Sequence, residues 1–137
     1  MSSFVYHTTI LEQYLDNFGH VNHASYFVLF EQARWDFITK RGYGLKEVKE
    51  RQIGPVILAA NIKYRKELRN RDQITIRSHF LSPAPSLIMQ LEQKMFKTIK
   101  DKEVVASECI FDVGLFDMVK RKLIMPTPEW LQGSGLN

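Results

Sequence analysis

Residues 23–40 read as a helix with almost no polar side. Tyr26, Leu29, Phe30, Ala33, Phe37 and Ile38 recur at helical spacing, and Phe27, Val28 and Trp35 widen the stripe. A helix apolar around so much of its circumference is stable only when enclosed. The segments around it show what encloses it. Residues 4–14 are rich in β-branched and aromatic types and predict a first strand. Residues 55–69 open on an apolar run, then set Ile62, Tyr64 and Leu68 against Lys63, Arg65, Glu67 and Arg69. Residues 72–81 set Ile74, Ile76, Ser78 and Phe80 against Gln73, Thr75, Arg77 and His79. Residues 86–99 alternate Leu87, Met89, Leu91 and Met95 against Gln90, Glu92 and Lys94, and residues 103–119 form another long strand.

The joints agree with this division. Asn22 is placed to cap the helix and Gly42 to end it, with one or two further helical turns over residues 45–51. Pro83 and Pro85 mark a turn, as does Lys100-Asp101-Lys102, and Pro126 and Pro128 predict an irregular tail. Short turns pair strands antiparallel, and one sheet with one apolar helix lays the helix on its inner face. The predicted class is α+β, an antiparallel five-stranded sheet wrapped around one long central helix, in a single domain over residues 1–137. So small a sheet leaves edges uncovered, which predicts pairing with a second subunit.

Bulk properties exclude several classes. A lone cysteine, Cys109, cannot form an intramolecular disulfide, which fits a reducing, cytoplasmic setting. Cys109 falls in an apolar strand and reads as packing. The start, Met1-Ser2-Ser3-Phe4, has neither a basic region nor a long apolar run, so no signal peptide is expected. No stretch reaches the ~20 apolar residues of a membrane span. The net charge is +4, and much of it sits in Lys63, Arg65, Lys66, Arg69 and Arg71 against Glu67. Such a cluster suits a phosphate-bearing ligand, or is a solvated strand face. Tyr64 is its only aromatic residue, which argues against nucleic acid.

The chemistry concentrates in Asp16-Asn17-Phe18-Gly19-His20-Val21-Asn22-His23-Ala24-Ser25-Tyr26. An acid, a glycine turn and two histidines stand directly before the helix, where backbone N–H groups lack partners. A group that can attack or activate water, next to donors for an oxyanion, is the minimum kit for acyl transfer. Asp16 equally serves as a cap for the turn before Gly19. A metal held by His20 and His23 lacks an evident third ligand.

This loop, followed by Phe30-Glu31-Gln32-Ala33-Arg34 in the helix, resembles the hot-dog-fold acyl-CoA thioesterases. Within that group it is similar to the 4-hydroxybenzoyl-CoA thioesterase-like subfamily, which includes the short acyl-CoA thioesterases of bacterial Tol–Pal clusters. The resemblance runs from about residue 4 to 130 and implies the hot-dog fold, hydrolysis of an acyl-CoA to free acid and CoA, and no cofactor or metal. It also implies a homodimer or homotetramer with active sites between subunits. Two departures stand out. Many relatives carry an acid two positions before the catalytic aspartate, where this chain has Tyr14. A Tyr-x-x-Pro-x-x-x-Gly-Asp pattern becomes Tyr64 to Asp72 with Glu67 for the Pro and Arg71 for the Gly.

By this resemblance Asp16 matches the catalytic aspartate, as nucleophile or general base. His23 lies where the backbone N–H polarises the thioester carbonyl, and its imidazole orients substrate or protonates the leaving thiolate. Gly19, His20 and Asn22 shape the loop. Tyr26, Asn61 and Tyr64 line the acyl pocket, while Lys63, Arg65 and Lys66 are candidates for the phosphates of coenzyme A, with Arg77 and His79 behind them. Strand alternation puts Lys63 and Arg65 on one face and Lys66 on the other. Glu31 stands one turn before Arg34, so an ion pair is expected, although other hot-dog branches use a glutamate on this helix as the catalytic acid. An acyl carrier protein is an alternative donor. A hydratase or dehydratase, or a non-catalytic acyl-CoA-binding protein, is the alternative function.

Overall fold

Alternation in the sequence builds the sheet. Its strands are β1 (Phe4–Thr9), β2 (Ile53–Tyr64), β3 (Gln73–Phe80), β4 (Ile88–Ile99), β5 (Lys102–Asp117) and β6 (Lys122–Ile124). The helices are α1 (Ser25–Lys40), α2 (Leu45–Arg51) and α3 (Pro128–Gly133). This computed structural model describes residues 3–81 and 84–136. The turn expected at Pro83 and the reading of Met1-Ser2 lie outside the described residues. The strand order is β1-β3-β4-β5-β2, every pair antiparallel, and β6 takes up β5 where β4 ends.

The inner face of the sheet carries Ile74, Ile76, Phe80, Met89, Leu91, Met95, Phe111 and Val113, all buried. Against them α1 lays Tyr26, Leu29, Phe30, Ala33, Phe37 and Ile38, the six residues its periodicity picks out. Phe111 meets Phe30 and Phe27 edge to face, with centroids 6.0 and 6.2 Å apart. Each fully buried side chain of this size contributes roughly 1.5–3 kcal/mol, enough to hold a helix that no solvent would tolerate. Helix α1 ends as expected: Gly42 takes φ +94°, and the Tyr43 N–H donates back to the Ile38 carbonyl at 2.9 Å.

Several boundaries differ from the sequence reading. The first strand stops at Thr9 because Ile10 turns aside to exchange backbone bonds with Asp72 and Arg71, and residues 12–14 form a single 3-10 turn. Helix α1 starts at Ser25, two residues late, because Asn22 Oδ1 accepts the Ala24 N–H (2.9 Å) and holds residues 23–24 in a turn. Strand β2 ends at Tyr64, not near 69, where the Arg65 and Lys66 N–H groups both donate to the Ala106 carbonyl. The tail is not irregular. Thr127 caps α3 by accepting the Trp130 N–H, and Pro128 occupies the first helical turn, where no N–H is needed. A sixth short strand, β6, precedes it.

The turn forms with neither the proline nor the glycine of the related pattern. Arg71, standing for the glycine of the related pattern, takes φ +69°, a left-handed conformation that glycine adopts without strain. The Asp72 carboxylate accepts the Arg69 N–H at 2.9 Å and holds the turn. Arg71→Gly is therefore expected to stabilise the protein by roughly 0.5 kcal/mol, read as a higher urea midpoint. The relieved strain outweighs both the exposed Arg71–Glu12 pair and the added chain entropy. A lower midpoint would count against strain at this residue.

Candidate functional site

The loop before α1 is built around Asp16. Its N–H donates to the His20 carbonyl (2.8 Å), and its own carbonyl accepts the Gly19 N–H (3.1 Å). Its Oδ1 accepts the Phe18 and His20 N–H groups at 2.8 and 3.3 Å. One carboxylate oxygen is thus spent on the turn. The other, Oδ2, has no hydrogen bond among the described residues. Asp16 is half-buried, so the group is oriented and still reachable. Gly19 takes φ +81° with open space where a Cβ would stand, so the turn calls for glycine through its backbone conformation and not through a close approach.

Cross-links fix this loop to its surroundings. The Val21 N–H donates to the Leu68 carbonyl (2.9 Å) and the Asn22 N–H to Tyr14 (2.8 Å). His20 Nε2 lies 3.0 Å from Glu67 Oε2. Hydrogen bonds from Arg69 hold the Glu67 carboxyl below its usual range, so His20 faces a carboxylate. The Tyr64 hydroxyl donates to the His23 carbonyl at 2.8 Å, tying the end of β2 to the start of α1. Tyr26 packs edge-on to Tyr64 at 5.0 Å. Burial pushes the Tyr26 phenol up to about 12 and also raises Tyr64, so neither is a base at neutral pH. The His23 imidazole is exposed, and its backbone N–H donates to nothing among the described residues.

Asp16, His20, His23, Tyr26, Tyr64, Arg65 and Lys66 border one open groove of about 400 Å³, with Val21 and Glu67. Glu67 was not picked out from the sequence, although it is the single acid inside the basic cluster. Asn61 and Lys63 are elsewhere. They pair with Ile110 and Glu108 on the outer face of the sheet, in a separate recess, so Asn61 does not line this groove. Arg65 turns to the same outer side and bonds Glu108 at 2.8 Å. Lys66 is the basic side chain left at the groove, and no ion pair holds it among the described residues. Two further members of the basic cluster are paired, Arg69 with Glu67 and Arg71 with Glu12. Arg77 bonds Glu103 at 2.6 Å and His79 lies 3.6 Å from Glu92, both away from the groove.

Two other expectations resolve here. Glu31 and Arg34 form no ion pair among the described residues. Arg34 donates to Gln93 Oε1 at 3.1 Å instead and stacks 4.5 Å over the Phe111 ring. Cys109 is buried, and burial pushes its thiol up to about 11, so it packs and does not react. Among the described residues no three His, Cys, Asp or Glu side chains gather closely enough to hold a metal ion. Among the described residues no helix is long and apolar enough to cross a membrane.

Known proteins share this architecture. The sequence profile of the Thioesterase-like superfamily matches residues 11–134. A protein of Aquifex aeolicus (strain VF5), named as a candidate esterase, is 31% identical over 65 residues, covering 47% of this chain and 51% of that one. The match thus spans about half the length of this curated relative. A hypothetical protein of Staphylococcus aureus solved in complex with CoA superposes with a TM-score of 0.86 at 18% identity, over 98% of this chain and 84% of that one. An Asp-to-Asn variant of 4-hydroxybenzoyl CoA thioesterase, complexed with 4-hydroxybenzoyl CoA, gives 0.85 at 15% identity over 96% and 98%. DHNA-CoA thioesterase from Staphylococcus aureus gives 0.83 at 18% identity over 98% and 90%. At such identities the likeness is one of fold.

Proposed function

The chain belongs to the thioesterase-like superfamily, and from that premise we propose that it hydrolyses an acyl-CoA thioester to a free acid and CoA. The observation that carries the reading is Asp16, a carboxylate fixed through Oδ1 with Oδ2 free, beside the start of α1. In this reaction Asp16 attacks the thioester carbonyl carbon or takes a proton from the water that attacks it. A C–O bond forms, the C–S bond breaks, and the thiolate leaves as CoA after taking a proton. Direct attack by Asp16 gives a mixed anhydride, which a water then opens to the free acid. The unpartnered His23 N–H holds the carbonyl oxygen as it becomes an oxyanion, helped by the positive end of the α1 dipole. The exposed His23 imidazole borders the same groove and is a candidate to protonate the thiolate.

CoA as the carrier is supported by two of the similar structures, which hold CoA or a CoA thioester. Lys66, at the groove and unpaired, is the residue of this chain suited to a phosphate. Pairing of two copies is part of the same proposal. Strand β2 is a sheet edge with Ile57 and Leu58 exposed, a surface a lone subunit leaves open to strand pairing. A reducing, cytoplasmic setting completes it, in keeping with the single free thiol.

Thiol release from short, long and aromatic acyl-CoAs tests the reading. At least one substrate is expected to turn over at about 1–10³ s⁻¹. No release from any of them, with hydration of a crotonyl-type thioester instead, would replace hydrolysis with hydratase chemistry.

A further inference from the structure

A second cavity, of about 220 Å³, lies between α1, the inner face of the sheet and α3. Trp35, Ile38, Pro55, Phe80, Leu91 and Val113 supply apolar wall. Arg34, Trp130 and Ser134 supply polar groups, and all three are short of partners. The Arg34 guanidinium makes one side-chain hydrogen bond, to neutral Gln93, and closes no ion pair among the described residues. Trp130 and Ser134 are each 2% exposed, and neither the indole Nε1 nor the hydroxyl has a hydrogen-bond partner among the described residues. Buried donors without a partner are unfavourable, so two at one cavity, beside a half-buried guanidinium with a single side-chain hydrogen bond, are unlike ordinary packing. Every one of them can donate, and one is a fixed positive charge. The acid at this cavity, Glu31, is exposed.

We propose that this cavity binds a small carboxylic acid, its apolar body against the aromatic and aliphatic wall and its carboxylate held by Arg34, Trp130 Nε1 and Ser134 Oγ. The volume is below the roughly 300–1,000 Å³ of drug-sized pockets, which limits the ligand to a short chain or a single ring. A planar guanidinium matches a carboxylate. The cavity is distinct from the groove of Asp16 within one subunit. Arg34 is ten residues along α1 from Ala24, or about 15 Å. The carboxylate belongs either to a free acid or to the far end of an acyl group carried by CoA. The proposal stands whether or not Asp16 hydrolyses thioesters.

The test uses a built-in reporter. Both tryptophans of the chain, Trp35 and Trp130, border the cavity. Titration with benzoate and hexanoate is expected to change tryptophan fluorescence saturably, and benzamide and hexanamide to bind at least about ten-fold more weakly. Arg34→Gln removes that preference. Ser134→Ala, a change too small to threaten the fold, weakens carboxylate binding several-fold and decides the matter if Arg34→Gln does not fold. Asp16→Asn leaves the titration unaltered, and a wild-type protein that binds carboxylates yet releases no thiol would count against hydrolysis and not against this site. A lower KM for adipyl-CoA than for hexanoyl-CoA assigns the carboxylate to the acyl end, and equal values assign it to a free acid. Equal binding of acids and amides, or no saturable signal in the wild-type protein, overturns the proposal.

Discussion

Asp16→Asn is expected to lower thiol release by about three orders of magnitude while the protein stays folded. The structure makes this substitution unusually clean. Asp16 Oδ1 accepts two backbone N–H groups of its own turn, and an asparagine carbonyl oxygen accepts the same two. What disappears is the negative charge and the free oxygen opposite. The loop is held by further bonds that the side chain does not touch, from Val21 to Leu68 and from Asn22 to Tyr14. Asp16→Ala would be a poorer choice, because it strands both N–H groups and confounds chemistry with a collapsed turn. The measurement is kcat on the best substrate of the acyl-CoA panel, with the thermal midpoint as control for folding. Activity within a few-fold of wild type, at an unchanged midpoint, would move the chemistry to Glu31 or His23.

The reason this loop could be read from sequence is that it is local. Asp16, Gly19, His20, Asn22 and His23 meet because they are neighbours in the chain, and Asp, Asn and Gly reveal the turn that joins them. The fold was legible for a similar reason, since periods of two and 3.6 survive in any context. What failed depended on distant pairing. The basic run from Lys63 to Arg71 has the look of a phosphate site, yet Arg65 is claimed by Glu108 and Arg71 by Glu12, partners that only the folded sheet and the 3-10 turn bring close. Asn61, by contrast, stands two residues before Lys63 and shares its outer face, as the alternation with Ile62 and Tyr64 already implies. The second cavity is assembled from α1, β2 to β5 and α3, so no window of sequence contains it. One further signal was present and passed over. Ser78 and Gln93 both sit in the apolar phase of their strands, and they face each other across the sheet.

Gln93→Leu, nearly the same shape, is expected to destabilise the fold by about 2–4 kcal/mol, although it makes the core more apolar. Gln93 is 0% exposed, and both polar atoms of its amide are hydrogen-bonded. Its Nε2 donates to the Phe30 carbonyl (3.1 Å) and to Ser78 Oγ (2.9 Å), and its Oε1 accepts from Arg34 (3.1 Å). This one side chain therefore bolts α1 to β4 and β3, and it holds the guanidinium at the second cavity in place. Leucine leaves the Ser78 hydroxyl and the largely buried Arg34 without their partners, and an orphaned buried cation outweighs the gain in apolar contact. Ser78→Ala added to Gln93→Leu removes one of the two orphans, so the pair is expected to be more stable than Gln93→Leu alone by roughly 1 kcal/mol. Urea unfolding of the two variants and the wild type measures both numbers. If Gln93→Leu matched the wild type, the amide would be filler. If it falls as expected and the carboxylate titration weakens with it, the same residue is shown to support both the core and the Arg34 site.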